Sequence, residues 1–253
     1  MTETWIELND GPARIEVVGE GAPVMVIGAA VPLAWARPFC EALAGLGHRV
    51  INFDYGPPSG WEGDPLPKTC LDQVDDVVAV LEARADGPAA AVGLSRGAIT
   101  AYGLAASHPS LVSRLVLAFP VAGFADTIGI EGDEPEERDD PLEALDAAID
   151  TAFSAEFLAT QRQRARDLFL SPPGTVVRVN RDKEETVDDL PAVAVPTLIV
   201  SGGEDRVVTI EHPERLKRAI PHATAHEFPT ASHGFIMEHP LQFADVVDGF
   251  LRP

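Results

Sequence analysis

Hydrophobic and polar positions fall into two alternating rhythms along most of this chain. Residues 5–8 and 13–18 are short apolar-rich runs flanking Asn9-Asp10-Gly11, a turn whose glycine accepts positive φ, and together they predict a hairpin. Residues 23–28 are continuously apolar, as a strand buried on both faces should be. A helical segment over 33–47 and a strand over 49–54 follow. Residues 69–84 then place Leu71, Val74, Val78 and Leu81 on one helical face, with Asp72, Asp75, Asp76 and Glu82 mostly elsewhere. Residues 89–94 read as a strand, 96–107 as a helix, and 114–119 as a strand bounded by Pro120. Strands alternating with helices across short connections predict an α/β fold with a mostly parallel central sheet flanked by helices.

The rhythm breaks between 121 and 192. Residues 131–140 hold seven acids and one arginine, a solvated loop or the hinge of a lid. Asp140-Pro141 has the form of an N-cap followed by proline at the first helical position. Leu142, Leu145, Ile149, Phe153 and Phe157 then continue an apolar helical stripe. The expected organisation is a core formed by 1–120 and 193–253, carrying a small, mainly helical cap over 121–192. Within the second core segment a strand over 196–201, a helix over 211–219, a short strand over 223–228 and a final helix over 240–251 resume the pattern.

Length and composition change this picture little. The 253 residues, 45% of them hydrophobic, suit one globular domain with an insertion. No apolar run approaches the length that spans a bilayer, and the N-terminus lacks a signal peptide's pattern, so the expected location is the cytoplasm. Charge is more informative. Forty acids against 19 basic residues give a net charge of −21, a field that repels phosphate backbones and anionic lipid surfaces. Neither nucleic acid nor membrane is an expected partner; a small-molecule substrate is, and a homodimer is left open. Cys40 and Cys70, the only two cysteines, lack metal-ligand spacing and read as reduced, buried thiols; no metal or cofactor is called for.

Candidate chemistry centres on Gly93-Leu94-Ser95-Arg96-Gly97. The string alone is weak, but it directly joins the strand over 89–94 to the helix after it. A sharp strand-to-helix turn needs small residues on either side of the serine, and it lifts the hydroxyl to a positive helix terminus. A serine hydroxyl is barely nucleophilic at neutral pH and needs a base within hydrogen-bond reach. His233 has the best context of the seven histidines, in Thr230-Ala231-Ser232-His233-Gly234 between the last strand and the last helix. A carboxylate must then fix the imidazole tautomer. Asp205, in the loop after a buried strand, is the expected residue, with its neighbour Glu204 and Asp126 as the alternatives. The oxyanion of a tetrahedral intermediate would be held by the backbone N–H groups of Arg96 and Ala29. Trp35, Phe119, Phe124, Phe153 and Phe157 are candidates to line an apolar substrate pocket, with core packing as the alternative for each. The Arg96 guanidinium has two readings, a partner for a substrate carboxylate or a structural pair with an acid of the insertion.

Taken together, Gly93 to Gly97, Asp205 and Ala231-Ser232-His233-Gly234 resemble the α/β-hydrolase superfamily, and the resemblance extends over nearly the whole chain. The segments 47–54 and 108–117 look like that family's fourth strand and the approach to its sixth, and the order Ser, Asp, His is the family's own. Length and insertion are most similar to its enol-lactonase, small esterase and cofactor-free haloperoxidase group. The resemblance implies a serine hydrolase that cleaves a carboxylic ester or lactone through an acyl-enzyme. A lyase, cyclase or perhydrolase on the same scaffold is the first alternative, and a catalytically silent small-molecule binding protein the second. The chain departs from the family where Ile27-Gly28 replaces the common His-Gly pair before the oxyanion loop.

Overall fold

The computed structural model describes residues 2–8, 11–28, 33–54, 69–123, 140–170 and 186–252. Its strands are β1 (Thr2–Leu8), β2 (Gly11–Val18), β3 (Ala22–Ile27), β4 (His48–Asp54), β5 (Ala89–Leu94), β6 (Val112–Ala118), β7 (Thr197–Gly202) and β8 (Thr224–Phe228). They form one sheet in the order β1-β2-β4-β3-β5-β6-β7-β8. The β1–β2 hairpin closes with Leu8 opposite Gly11, and β2 pairs antiparallel with β4; every pairing from β4 to β8 is parallel.

The helices are α1 (Leu33–Gly45), α2 (Gln73–Arg84), α3 (Gly97–Ser107), α4 (Pro141–Ala152), α5 (Ala155–Leu170), α6 (Glu211–Ala219), α7 (Phe235–Glu238) and α8 (Pro240–Leu251). Successive strand residues point to opposite faces, so the continuous apolar runs supply two cores at once. Met25, Ile27, Ala91, Leu115, Leu117 and Ile199 pack on one face with Val77, Val80, Tyr102 and Leu216 of α2, α3 and α6. Val24, Val26, Val92, Val116, Leu198 and Val200 pack on the other with Phe39 and Leu43 of α1 and Phe243 and Val247 of α8. Both cysteines are buried; burial, reinforced by Glu16 and Glu41, pushes the Cys40 thiol well above its ordinary value. None of the described helices is long and apolar enough to cross a membrane.

Two helical readings need correction. The segment over 69–84 becomes helical only at Gln73, because Thr69 and Asp72 close a turn on each other: Thr69 N–H donates to Asp72 Oδ2 and Asp72 N–H to Thr69 Oγ1, both at 3.0 Å. The stripe from Leu142 to Phe157 is not one helix. Asp140 caps α4 as expected, its Oδ1 accepting from Leu142 N–H at 2.8 Å. Extended backbone at Phe153 then ends that helix, and Ser154 Oγ accepts from Phe157 N–H to begin α5. Leu142, first of the stripe, is largely exposed.

Helix α8 is tied to the sheet by a buried hydrogen bond between Asp248 and His48. Asp248 accepts from His48 Nε2 at 2.8 Å and from Arg252 Nε at 2.8 Å. Burial by itself pushes the Asp248 carboxyl up, but the hydrogen bonds from Arg252 and His48 outweigh it and hold the group below its ordinary value. A carboxyl whose folded pKa is depressed contributes stability above its unfolded pKa, near 4, and loses that contribution as pH falls through the folded value. Asp248→Asn is therefore expected to cost about 1–3 kcal/mol at pH 7. In urea titrations across pH, the gap between wild type and variant should close as pH falls below about 4. A gap that stays constant down to pH 2 would contradict the assignment.

Candidate active site

The chain order reverses direction across the sheet at β3, whose neighbours are β4 and β5. In open α/β sheets ligands bind outside the carboxyl ends of the strands at such a switch point. Ser95 stands there, immediately after β5 and before α3. Its backbone is in the left-handed region, φ 52°, a conformation that costs a non-glycine residue roughly 1–2 kcal/mol. Backbone hydrogen bonds hold it: Ser95 N–H donates to Ala118 O at 3.0 Å, and Ser95 O accepts from the N–H groups of Ala98 and Val121, both at 3.1 Å.

The flanking glycines are required by space. A Cβ on Gly97 would sit 1.9 Å from Ile27 O, and one on Gly93 would sit 2.6 Å from Gly97 O and 2.7 Å from Ala101 Cβ. The turn is thus pressed against the end of β3 on one side and against α3 on the other.

Asp205 follows β7 in a loop stitched to the histidine loop. Gly203 N–H donates to Phe228 O at 2.9 Å and Glu204 N–H to Ala231 O at 3.0 Å, with Gly202 so close to Ala231 that a Cβ would meet its carbonyl at 2.4 Å. That stitching decides between the adjacent acids. Glu204 is turned out to solvent, whereas the Asp205 side chain is 3% exposed. Its Oδ1 accepts from the N–H groups of Val207 and Val208, both at 2.8 Å, and its Oδ2 lies 2.9 Å from His233 Nδ1. A carboxylate only accepts, so His233 Nδ1 carries the proton and donates it; Nε2 of the neutral ring then accepts. The Ser95 hydroxyl, 3.1 Å from Nε2, is placed to donate to it. Hydroxyl, imidazole and carboxylate therefore form one hydrogen-bonded line, the arrangement that general-base-assisted attack by a serine needs.

Phe119 packs beside this line. It too has positive φ, 48°, and its ring meets the His233 imidazole edge to face at 6.3 Å. Trp35, Phe153 and Phe157 join through Phe169 into an aromatic cluster at the α4–α5 pair. Trp35 Nε1 donates to Leu168 O at 2.8 Å, Trp35 lies 4.7 Å from Phe169, and Phe153 stacks on Phe157 at 5.1 Å. Arg96 is half-buried at the N-cap of α3. Ala29, Phe124 and Asp126 lie outside the described residues. Among the described residues, no three His, Cys, Asp or Glu side chains converge as a metal site.

Sequence reasoning missed Glu238. The side chain is 1% exposed and accepts from Ser232 Oγ at 2.5 Å, Ser154 N–H at 2.8 Å and Ser154 Oγ at 2.7 Å. The available signal was a lone carboxylate in Phe235-Ile236-Met237-Glu238, an otherwise apolar turn directly after the histidine loop.

Comparison with known proteins gives the family and the fold. The sequence profile described as "Alpha/beta hydrolase family" matches residues 21–246. A 2-hydroxymuconate semialdehyde hydrolase of Pseudomonas putida is 31% identical over 190 residues, covering 70% of this chain and 67% of that protein. A pimeloyl-[acyl-carrier protein] methyl ester esterase of Chromobacterium violaceum is 26% identical over 259 residues, covering 90% and 94%. The solved structure of an esterase from Exiguobacterium antarcticum superposes with a TM-score of 0.80 at 21% identity, covering 98% of this chain and 99% of that one.

Proposed function

This chain belongs to the α/β hydrolase family, and from that premise we propose that it is a serine hydrolase cleaving a carboxylic ester or lactone through an acyl-enzyme. The observation that carries the proposal is the line from Ser95 Oγ through His233 to Asp205 at the sheet's switch point. Esters and lactones fit it because attack by an alkoxide-like oxygen on an acyl carbon is what this line can drive, and a relative similar over nearly its full length is a methyl ester esterase. Ser95 Oγ adds to the acyl carbon as His233 Nε2 takes the hydroxyl proton. The backbone N–H of Arg96, at the positive end of α3, and that of Ala29 after β3 hold the resulting oxyanion. His233 returns the proton to the leaving alkoxide, then draws a proton from water as it attacks the acyl-Ser95 ester. Breakdown of that second intermediate releases the acid and restores the serine. In this reading 121–192 is a cap, and Phe124, Phe157 and Trp35 supply apolar surface for the acyl group, while Phe119 and Phe153, both buried, belong to the core.

The test pairs a fluorophosphonate probe with p-nitrophenyl acetate and a panel of short-chain esters and lactones. Wild type is expected to be labelled on Ser95 and to turn over members of the panel. Labelling without turnover would move the assignment to a non-hydrolytic catalyst on the same scaffold. Neither labelling nor turnover would sink the serine nucleophile.

A further inference from the structure

The catalytic reading accounts for three polar side chains and leaves a fourth, Glu238, buried beside them. Withdrawing a carboxylate from water is costly, and the cost is tolerated only when its oxygens are well satisfied. Those of Glu238 are, by three hydrogen bonds to a charged acceptor, which are shorter and stronger than neutral ones. The donors come from two places. Ser232 directly precedes His233, and Ser154 is the junction between α4 and α5.

The other neighbour of His233 is fastened to the same junction. Gly234 N–H donates to Ala152 O at 2.7 Å, and a Cβ on Gly234 would meet the Phe153 ring at 2.5 Å. The base is therefore bracketed by residues that both rest on the α4–α5 junction. The acid loop reaches α4 as well, since Arg206 Nη2, next to Asp205, donates to Asp150 O. A group that only capped α5 would need Ser154 and nothing from Ser232.

We propose that Glu238 is a positioning residue for His233, clamping the histidine loop to the α4–α5 junction through Ser232 and Ser154. The helices between β6 and β7 then set the aim of the base as well as covering the site, and displacing them turns the imidazole away from Ser95. The proposal rests on the Ser95–His233–Asp205 reading for its kinetic consequences. Its structural content, the fixing of the imidazole, is independent of turnover.

Three variants test it: Glu238→Ala, Glu238→Gln and Ser232→Ala. A misplacement of about 1 Å can cost on the order of 10²-fold in rate, so Glu238→Ala is expected to lower kcat for p-nitrophenyl acetate by about that factor. KM should stay within roughly twofold, because no substrate contact is removed. Glu238→Gln keeps an oxygen for Ser232 and Ser154 N–H and can donate to Ser154 Oγ, so it should recover most of the rate. The second readout is the His233 Nδ1 proton in NMR spectra, expected to be sharp and far downfield in wild type and Glu238→Gln but broadened by exchange in Glu238→Ala and Ser232→Ala.

The proposal is overturned if folded Glu238→Ala and Ser232→Ala both keep kcat within about twofold of wild type, or if kcat falls while the ring proton is unchanged. If Glu238→Ala does not fold, Ser232→Ala decides alone, since it leaves the bonds to Ser154 intact. A wild type that neither labels nor turns over esters would defeat the hydrolase assignment, while the ring-proton comparison would still decide the role of Glu238.

Discussion

Ser95→Ala is expected to reduce turnover of p-nitrophenyl acetate by about 10⁶-fold while leaving the fold intact. The size follows from what the hydroxyl does in the proposed reaction: without it there is no acyl-enzyme, and His233 has no proton to take. What remains is the catalysis that oxyanion donors and binding supply by themselves. The fold should persist because Ser95 is held by its main chain, through bonds to Ala118, Ala98 and Val121 that alanine keeps. The left-handed φ of 52° strains alanine much as it strains serine, so the thermal midpoint should move by no more than a few degrees. Purified variant and wild type, compared by steady-state rate, fluorophosphonate labelling and thermal melting, supply the measurement. Turnover within tenfold of wild type in a folded, unlabelled variant would mean that Ser95 is not the nucleophile.

How much of this site the sequence makes legible depends on how local each cause is. Ser95 is readable because its cause is short-range: apolar strand, tight glycine turn and helix lie within one continuous stretch, and the glycines answer to clashes with Ile27 and Ala101 that any such turn would meet. His233 and Asp205 are readable as loops that follow strands. Which of Asp205 and Glu204 faces His233 is only half legible, since it depends on main-chain bonds between the loops after β7 and β8. Those loops become neighbours only once the strands pair.

Periodicity misleads where a cap intervenes. Leu145, Ile149, Phe153 and Phe157 keep helical spacing across a junction at which Phe153 ends one helix's register and Ser154 begins another's. Glu238 is the least legible residue. A carboxylate reads as surface by type, and its burial is permitted by Ser154, which lies 84 positions away in the chain. The apolar residues around it mark a buried turn, but they do not reveal a donor that arrives from another element.

Asp205→Asn is expected to lower kcat by about 10⁴-fold, and the carboxylate's own hydrogen bonds explain why the amide cannot substitute. Oδ1 of Asp205 receives two main-chain donors, Val207 N–H and Val208 N–H, so in the variant the amide oxygen must take that position. Placing the NH₂ group there would set it against two fixed N–H donors in a site that is 3% exposed. The amide nitrogen is thereby forced toward His233 Nδ1, where it donates. The imidazole answers by moving its proton to Nε2, which then points an N–H at Ser95 Oγ and can no longer accept the hydroxyl proton. The geometry survives with the tautomer reversed, so KM should hardly change and the loss should appear in kcat. Hydroxide can remove the serine proton directly, so the deficit should shrink as pH rises. Finding the variant's rate within tenfold of wild type at pH 7 would instead move the orienting role to Asp126 or Glu204.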